Sequence, residues 1–259
     1  MRRVILLTFA VLLSCRYRYN FGIYVPLQVG AVYSYTSRYE DTGEYESTLG
    51  KYYRPDTLFI LKDTVYNGIN ARKVYVRKQN ADTLVSRDTA IYYILNDTLF
   101  AIGRASNLMV PYFYFNYAGG LYVGEPQYAD TFITMKLLYV LADVGDIWEV
   151  GEFSGMLKIY RDGFGDIPDS VRYYPVNGRI YAEFKGYENL DTPYRKVEKC
   201  ALITYNLSLT LGSIPVEFEA FKTWWCSGLG QVAYVMSATQ YRKERKLRME
   251  LANFEFVAK

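Results

Sequence analysis

The sequence contains no histidine among its 259 residues. That absence removes Ser-His-Asp and Cys-His nucleophilic catalysis, histidine-based zinc sites and the two-histidine, one-carboxylate iron site. Cysteine is nearly absent too, with three residues, too few for a thiolate-only metal site beside the other demands on them. No Gly-x-Ser-x-Gly, Ser-x-x-Lys or phosphate-binding glycine loop occurs. Beyond the N-terminus no apolar run is long enough to span a bilayer as a helix. Surplus charge of one sign is missing as well. With Arg2 and Arg3 of the opening segment set aside, 28 basic residues stand against 27 acidic ones, which gives no electrostatic case for nucleic acid.

What is present is aromatic and apolar. Twenty-eight tyrosines and fourteen phenylalanines, in a chain that is 51% hydrophobic and 22% charged, describe a globular protein with a leaning towards strands, because aromatic rings suit a pleated, half-buried surface. The length allows one large domain with ample core.

The opening "MRRVILLTFAVLLSC" carries a charged pair, Arg2 and Arg3, then an apolar stretch from Val4 to Leu13. Ten such residues are about half of what crosses a bilayer, so the segment reads as an export signal. Leu12-Leu13-Ser14-Cys15 is similar to the bacterial lipobox, with an aliphatic residue three before the cysteine and a small residue just before it; Leu13 is bulkier than the residue usual there. The resemblance implies that Cys15 becomes the N-terminus and carries a diacylglycerol thioether and an N-acyl chain, an anchor firmer than a single acyl group. Arg16 is not the aspartate associated with inner-membrane retention, which favours the outer membrane. The expected organisation is a signal over 1–14, a lipidated tether over 15–20 and a single all-β domain over 21–259.

Period-two alternation runs through that domain. Val74 and Val76 alternate with Lys73, Tyr75 and Arg77. Ile180, Ala182 and Phe184 alternate with Arg179, Tyr181, Glu183 and Lys185. Val216, Phe218 and Ala220 oppose Glu217, Glu219 and Phe221. These patterns predict antiparallel strands with one face on a core. Turn signals separate them at Asp41-Thr42-Gly43, Asn67-Gly68, Asn96-Asp97 and Asn177-Gly178. The fold class is therefore all-β and antiparallel: a curved sheet, an open barrel or a sandwich. "RKERKLRMELANFEF" is read as an exposed turn over Arg242 to Lys246, then a last strand in which Leu247, Met249 and Leu251 share a face before the phase shifts to Phe254 and Phe256. "NYAGGLYVGEPQYADT" reads as a glycine-rich surface connection.

A faint echo links "YVPLQVGAVYSY" (Tyr24 to Tyr35) with "YVLADVGDIWEV" (Tyr139 to Val150). Each is followed by alternating segments and then a paired aromatic, Tyr92-Tyr93 and Trp224-Trp225. Two related halves, over 23–125 and 126–259, would explain it; chance likeness among tyrosine-rich strands is the competing account.

Chemistry-bearing clusters are few. Asp162, Asp166 and Asp169 sit among Gly163 and Gly165, as in calcium loops, but Phe164 replaces the middle acid and Tyr173 stands where a glutamate would close the set. An Asp-rich turn is the plainer reading. Glu217 and Glu219 share a strand face and read as solvated, not as a glycosidase pair. "PYFYFNY" (Pro111 to Tyr117) reads as a core strand that also packs a loop. Cys200 and Cys226 could pair in an oxidising compartment, yet the preferred reading is two separate small buried residues. Gly228 and Gly230, flanking Leu229 after Trp224-Trp225, read as a tight turn needing positive φ or close backbone approach.

Pro26-Leu27 with Gly30 and Tyr33, then Gly145-Asp146 with Trp148, then Trp225 with Gly228 and Gly230 form a series. It resembles an uncharacterised class of bacterial outer-membrane lipoproteins marked by Pro-Leu-x-x-Gly-x-x-aromatic, Gly-Asp-x-Trp and a late aromatic-x-x-Gly-x-Gly. Tyr33 stands where tryptophan is commoner, and Cys226-Ser227 replaces Ala-Pro. The resemblance implies an exported all-β lipoprotein and no catalytic residue. The expected function is a non-enzymatic binding or structural module of the envelope, without a cofactor unless calcium binds, partnered by the membrane through its lipid and by an envelope component or apolar ligand. A carrier holding an acyl chain in a curved-sheet cavity and a carboxylate-dependent glycan enzyme are the alternatives.

Overall fold

The computed structural model describes residues 28–40, 54–79, 85–104, 113–117, 120–128, 132–161, 169–211, 214–240 and 243–257. Within them the chain is all strand: β1 Ala31–Tyr39, β2 Arg54–Tyr66, β3 Ile69–Gln79, β4 Val85–Leu95, β5 Thr98–Arg104, β6 Phe113–Tyr117, β7 Gly120–Tyr128, β8 Phe132–Tyr139, β9 Ile147–Arg161, β10 Asp169–Asp191, β11 Lys196–Leu211, β12 Ile214–Cys226, β13 Gly230–Gln240 and β14 Lys243–Phe256. No described helix is long and apolar enough to cross a membrane.

The strands form one antiparallel sheet in the order β6-β7-β9-β10-β11-β12-β13-β14-β1-β2-β3-β4-β5-β8. Two five-strand meanders, β1–β5 and β9–β13, are joined through β14. The sheet from β9 to β8 comprises twelve strands curled into a nearly closed barrel, and the β6–β7 hairpin continues past β9. Closure brings β8 against β9 without a ladder between them. Glycine permits this approach: a Cβ on Gly151 of β9 would lie 3.2 Å from the Thr134 carbonyl oxygen of β8. Two side chains latch the seam from the second meander. The Trp148 indole donates to the Lys136 carbonyl at 3.1 Å, and the Tyr205 hydroxyl donates to the Leu137 carbonyl.

Alternation fixes which residues fill the barrel. Ile180, Ala182 and Phe184 of β10 and Ile203, Tyr205, Leu207 and Leu209 of β11 are buried together with Leu99, Met135, Leu138 and Trp225. Val74, Ile60, Tyr33, Tyr35, Leu247, Met249 and Leu251 belong to a second cluster around β13, β14 and β1. Removing such side chains from water, at about 25 cal/mol per Å² of apolar area, is the main driving force for curling the sheet. Ala71, Tyr93 and Ile102 form a small third cluster.

Bulges account for the phase shifts. Ser34 faces Asn253 while Tyr35 faces Leu251, so Ala252 is left over and β14 changes face between Leu251 and Phe254. The released Leu251 carbonyl accepts the Tyr194 amide at 3.1 Å, which ties the β10–β11 hairpin tip down onto β14. In β12 Ala220 is the extra residue. It moves Phe221 from the expected Glu217 and Glu219 face to the interior, where its ring stacks on Tyr205 at 4.3 Å.

Three other expectations are corrected. Asn177-Gly178 is not a turn; it lies inside β10, with Asn177 opposite Ser154 and Thr210, because ladders on both sides override a local turn preference. The glycine-rich segment read as a connection contains β7, paired with β6 and β9. The last strand begins at Lys243, so Lys243 to Lys246 pair with β13 instead of forming a turn. Asn67 and Gly68 (φ 48° and 79°) and Asn96 and Asp97 (φ 48° and 58°) do turn their hairpins, with the two positive φ values that a right-twisted hairpin favours. Asp41-Thr42-Gly43 lies outside the described residues.

Candidate functional site

Because neighbouring strands alternate in direction, every strand end can be assigned to one of two barrel rims. The described chain begins at Gln28 on the rim that also holds the ends of β2, β4, β8, β12 and β14 and the starts of β9 and β13. The described residues of all three sequence motifs lie at this rim; Pro26 and Leu27 of the first lie outside the described residues. Gly30 (φ 91°) donates to the Ile60 carbonyl at 2.9 Å and accepts from the Val257 amide at 2.9 Å, joining the start of β1 to the end of β14. A Cβ there would lie 2.8 Å from the Val257 carbonyl oxygen, so only glycine fits. Tyr33, two pairs inward, packs its ring 4.9 Å from Phe254.

Gly145 (φ 94°) gives its amide to the Phe184 carbonyl at 2.8 Å, and the Phe184 amide returns a bond to the Asp146 carbonyl at 3.1 Å. The Asp146 carboxylate accepts the Asp143 amide at 2.8 Å, closing the β8–β9 connection. Trp148 then reaches the seam described above. In the third motif Gly228 and Gly230 take φ of 76° and 78°, and the Leu229 amide donates to the Cys226 carbonyl at 3.2 Å. Leu229 is buried with Cys200, Cys226 and Trp224.

The sequence reading of Cys200 and Cys226 as unlinked is corrected. Ala201 faces Trp225 in the β11–β12 ladder, so the next pair along is Cys200 and Cys226, with Cα atoms 4.2 Å apart and the sulfurs bonded. Their register, not their spacing in sequence, makes them partners.

Outside the barrel wall Trp224 anchors a charged group. Its indole donates to Glu188 at 2.8 Å, and the Arg248 guanidinium lies 4.8 Å over its ring. Arg248 and Arg38 both donate to the Glu250 carboxylate, at 2.7 and 2.8 Å, and Glu40 lies 3.7 Å from Arg248. Glu250 is 2% exposed. The buried carboxylate with its two guanidinium partners joins β1 and β14, with the buried Arg38 Nε left without a hydrogen-bond partner, and three carboxylates against two guanidinium groups leave no surplus cation for an anionic ligand.

The interior is rich in phenols. Burial pushes Tyr33, Tyr35 and Tyr205 up well beyond the usual tyrosine range and raises Tyr92 to about 12. Tyr35 donates to the Gln231 carbonyl at 2.9 Å, and the Trp225 indole donates to the Thr223 hydroxyl at 2.9 Å. These groups stay neutral at ordinary pH and act as hydrogen-bond donors, not bases.

Among the sequence candidates, Cys15, Asp162 and Asp166 lie outside the described residues, and Asp169 opens β10 opposite Arg161. Among the described residues no three His, Cys, Asp or Glu side chains gather as a metal site. The apolar character of the rim was missed in sequence, since it depends on which strand ends meet.

No protein-family model and no curated protein matches the sequence. Solved structures do share its fold. A candidate exported protein with a YmcC-like fold from Bacteroides fragilis is similar over 90% of this chain and 99% of its own, with 12% identity and a TM-score of 0.51. A candidate lipoprotein from Parabacteroides distasonis is similar over 88% of this chain and 96% of its own, with 13% identity and a TM-score of 0.48. The class defined by the first likeness is an all-β, barrel-like fold of the YmcC kind.

Proposed function

We propose that this chain is an envelope lipoprotein, held in the outer membrane through an acylated Cys15, whose β-domain works as a binding or structural module and not as an enzyme. The observation that carries the reading is the use made of the three motifs. Gly30, Gly145, Asp146, Trp148, Gly228 and Gly230 are engaged in turns, ladders and the seam. The signal and lipobox at the N-terminus supply the address. The test is cell fractionation with acyl-chain labelling of the wild type and of Cys15→Ser. The wild type takes up label and sediments with outer membranes, and Cys15→Ser stays unlabelled and leaves the membrane. An unlabelled wild type, or a variant that stays with the membrane, overturns the reading.

A second reading, a carrier of an apolar ligand, is favoured by Tyr92. Its position opposite Ala101 points it into the barrel and it packs against both large clusters, yet the residue as a whole is only half-buried. Native mass spectrometry of the purified protein decides: a stoichiometric co-purified lipid supports the carrier, and a bare chain mass favours the module.

A further inference from the structure

Among the described residues, the rim that carries the motifs also carries most of the large apolar side chains left in solvent. Val65 at the end of β2, Leu95 at the end of β4, Leu141, Val144 and Ile147 around the β8–β9 connection and Val257 after β14 are all exposed, Val65, Val144 and Ile147 to about two thirds. They come from four separate places in sequence, and strand direction alone brings them to one end. Towards the opposite rim the described residues leave Phe132 exposed at the start of β8 and Val171 and Tyr173 near the start of β10. The β10–β11 hairpin could have stood above the motif rim, but the Tyr194 bond to Leu251 ties its tip five residues short of Phe256. Exposed apolar groups concentrated on one surface mark an interaction face.

The N-terminal chain indicates the occupant. The described structure starts at Gln28 on this rim, 13 residues after Cys15. Even fully extended, those residues reach about 45 Å. A lipid on Cys15 therefore attaches to the domain from the side of this rim and keeps it within that reach of the bilayer. We infer that the motif rim seats directly on the membrane surface, with its exposed valine, leucine and isoleucine side chains at the boundary between headgroups and acyl chains. The inference rests on the anchor reading above.

The charged side chains around the rim refine the surface. Asp97, Asp143 and Asp146 outnumber the cations at the β4–β5 turn and the β8–β9 connection, where no lysine or arginine lies between Tyr139 and Ile147. An apolar rim whose β4–β5 turn and β8–β9 connection carry acids alone suits a zwitterionic phospholipid surface better than an anionic one.

The test uses the full lipidated protein in vesicles of zwitterionic phosphatidylcholine with brominated acyl chains, which quench tryptophan at contact. Single variants Val65→Trp and Val144→Trp place a reporter on the rim, and Phe132→Trp places one at the far end; the wild-type emission of Trp148, Trp224 and Trp225 is subtracted. The added emission at positions 65 and 144 is quenched and that at 132 is not, and quenching weakens as anionic lipid is mixed in. If the protein floats with the vesicles but the rim reporters are unquenched, the inference fails while the anchor reading stands. If rim emission instead shifts with the ratio of protein to lipid, the face pairs copies of the chain and the inference is overturned. A wild type that does not float with vesicles sinks both readings.

Discussion

The two meanders solve the same problem with different means. In β1–β5 the strands are short, from 7 to 13 residues, and their outer face is covered by a local stack in which Tyr93 lies 5.9 Å from Tyr66 and 4.9 Å from Phe100. In β9–β13 the strands reach 23 residues, bend at bulges between Phe184 and Gly186 and between Glu188 and Leu190, and are tied by the disulfide and by the Trp224 ion group. Each run places a paired aromatic on its fourth strand. The order is swapped: Tyr92 points in and Tyr93 out, whereas Trp224 points out and Trp225 in. The two aromatic pairs thus share a strand position without sharing a face. A single bulge reverses every side chain after it.

The largest expected effect separates the halves by pH. Tyr33, Tyr35 and Tyr92 lie in the first meander and only Tyr205 in the second. A phenol whose pKa is raised by folding contributes stability that is complete below pH 10. It is lost as pH rises, because the unfolded chain then gives up protons that the fold retains. The protein should unfold between about pH 10 and 12, the first meander loosening first, as read by tyrosinate absorbance beside circular dichroism. Tyrosinate appearing with an ordinary midpoint while the fold persists would count against the buried phenols.

Truncating the interior aromatics gives the next effect. Trp225→Ala should cost about 3–5 kcal/mol in denaturant unfolding, and Tyr92→Ala roughly half as much, since that residue is half-buried where Trp225 is buried. Equal costs would show that the two rings are buried alike.

Removing the disulfide by paired Cys200→Ala and Cys226→Ala changes should cost about 2–4 kcal/mol. Hydrogen exchange should then rise at the rim ends of β11 and β12 and stay unchanged in β2–β5. Uniform loosening would mean that the bond steadies the whole barrel and not its second half.

The echo glycines provide the finest contrast. Gly145→Ala meets nothing within 4 Å and should cost only the strain of its positive φ, about 1 kcal/mol. Gly30→Ala adds the clash with the Val257 carbonyl and should melt lower than Gly145→Ala. The reverse order would argue against the tight junction between β1 and β14.

The all-β class was readable because alternation and aromatic content are local properties. Even the β14 bulge was visible, as the phase shift from Leu251 to Phe254. What was hidden depends on register. Asn177-Gly178 carries a strong turn signal, but a strand paired on both sides has no freedom to turn. The cysteine pair needed the β11–β12 alignment, and the apolar rim needed the direction of every strand. The motif residues were flagged without their common location, because their convergence is a product of the closed sheet.

The junction of β1 with β14 also sets the order in which the barrel can be made. Most ladders join strands that follow one another in sequence, so each hairpin can zip as it leaves the ribosome or a translocation channel. The ladders of β5 with β8 and of β7 with β9 skip only a strand or two, but β1 is the far exception: Ala31 must wait for Phe256, the last ladder residue among those described. Contacts of such long separation form late and slowly. Until then the first meander has an open edge, and any chain cut short before β14 leaves that edge exposed. The fold thus distinguishes finished molecules from unfinished ones at its final ladder.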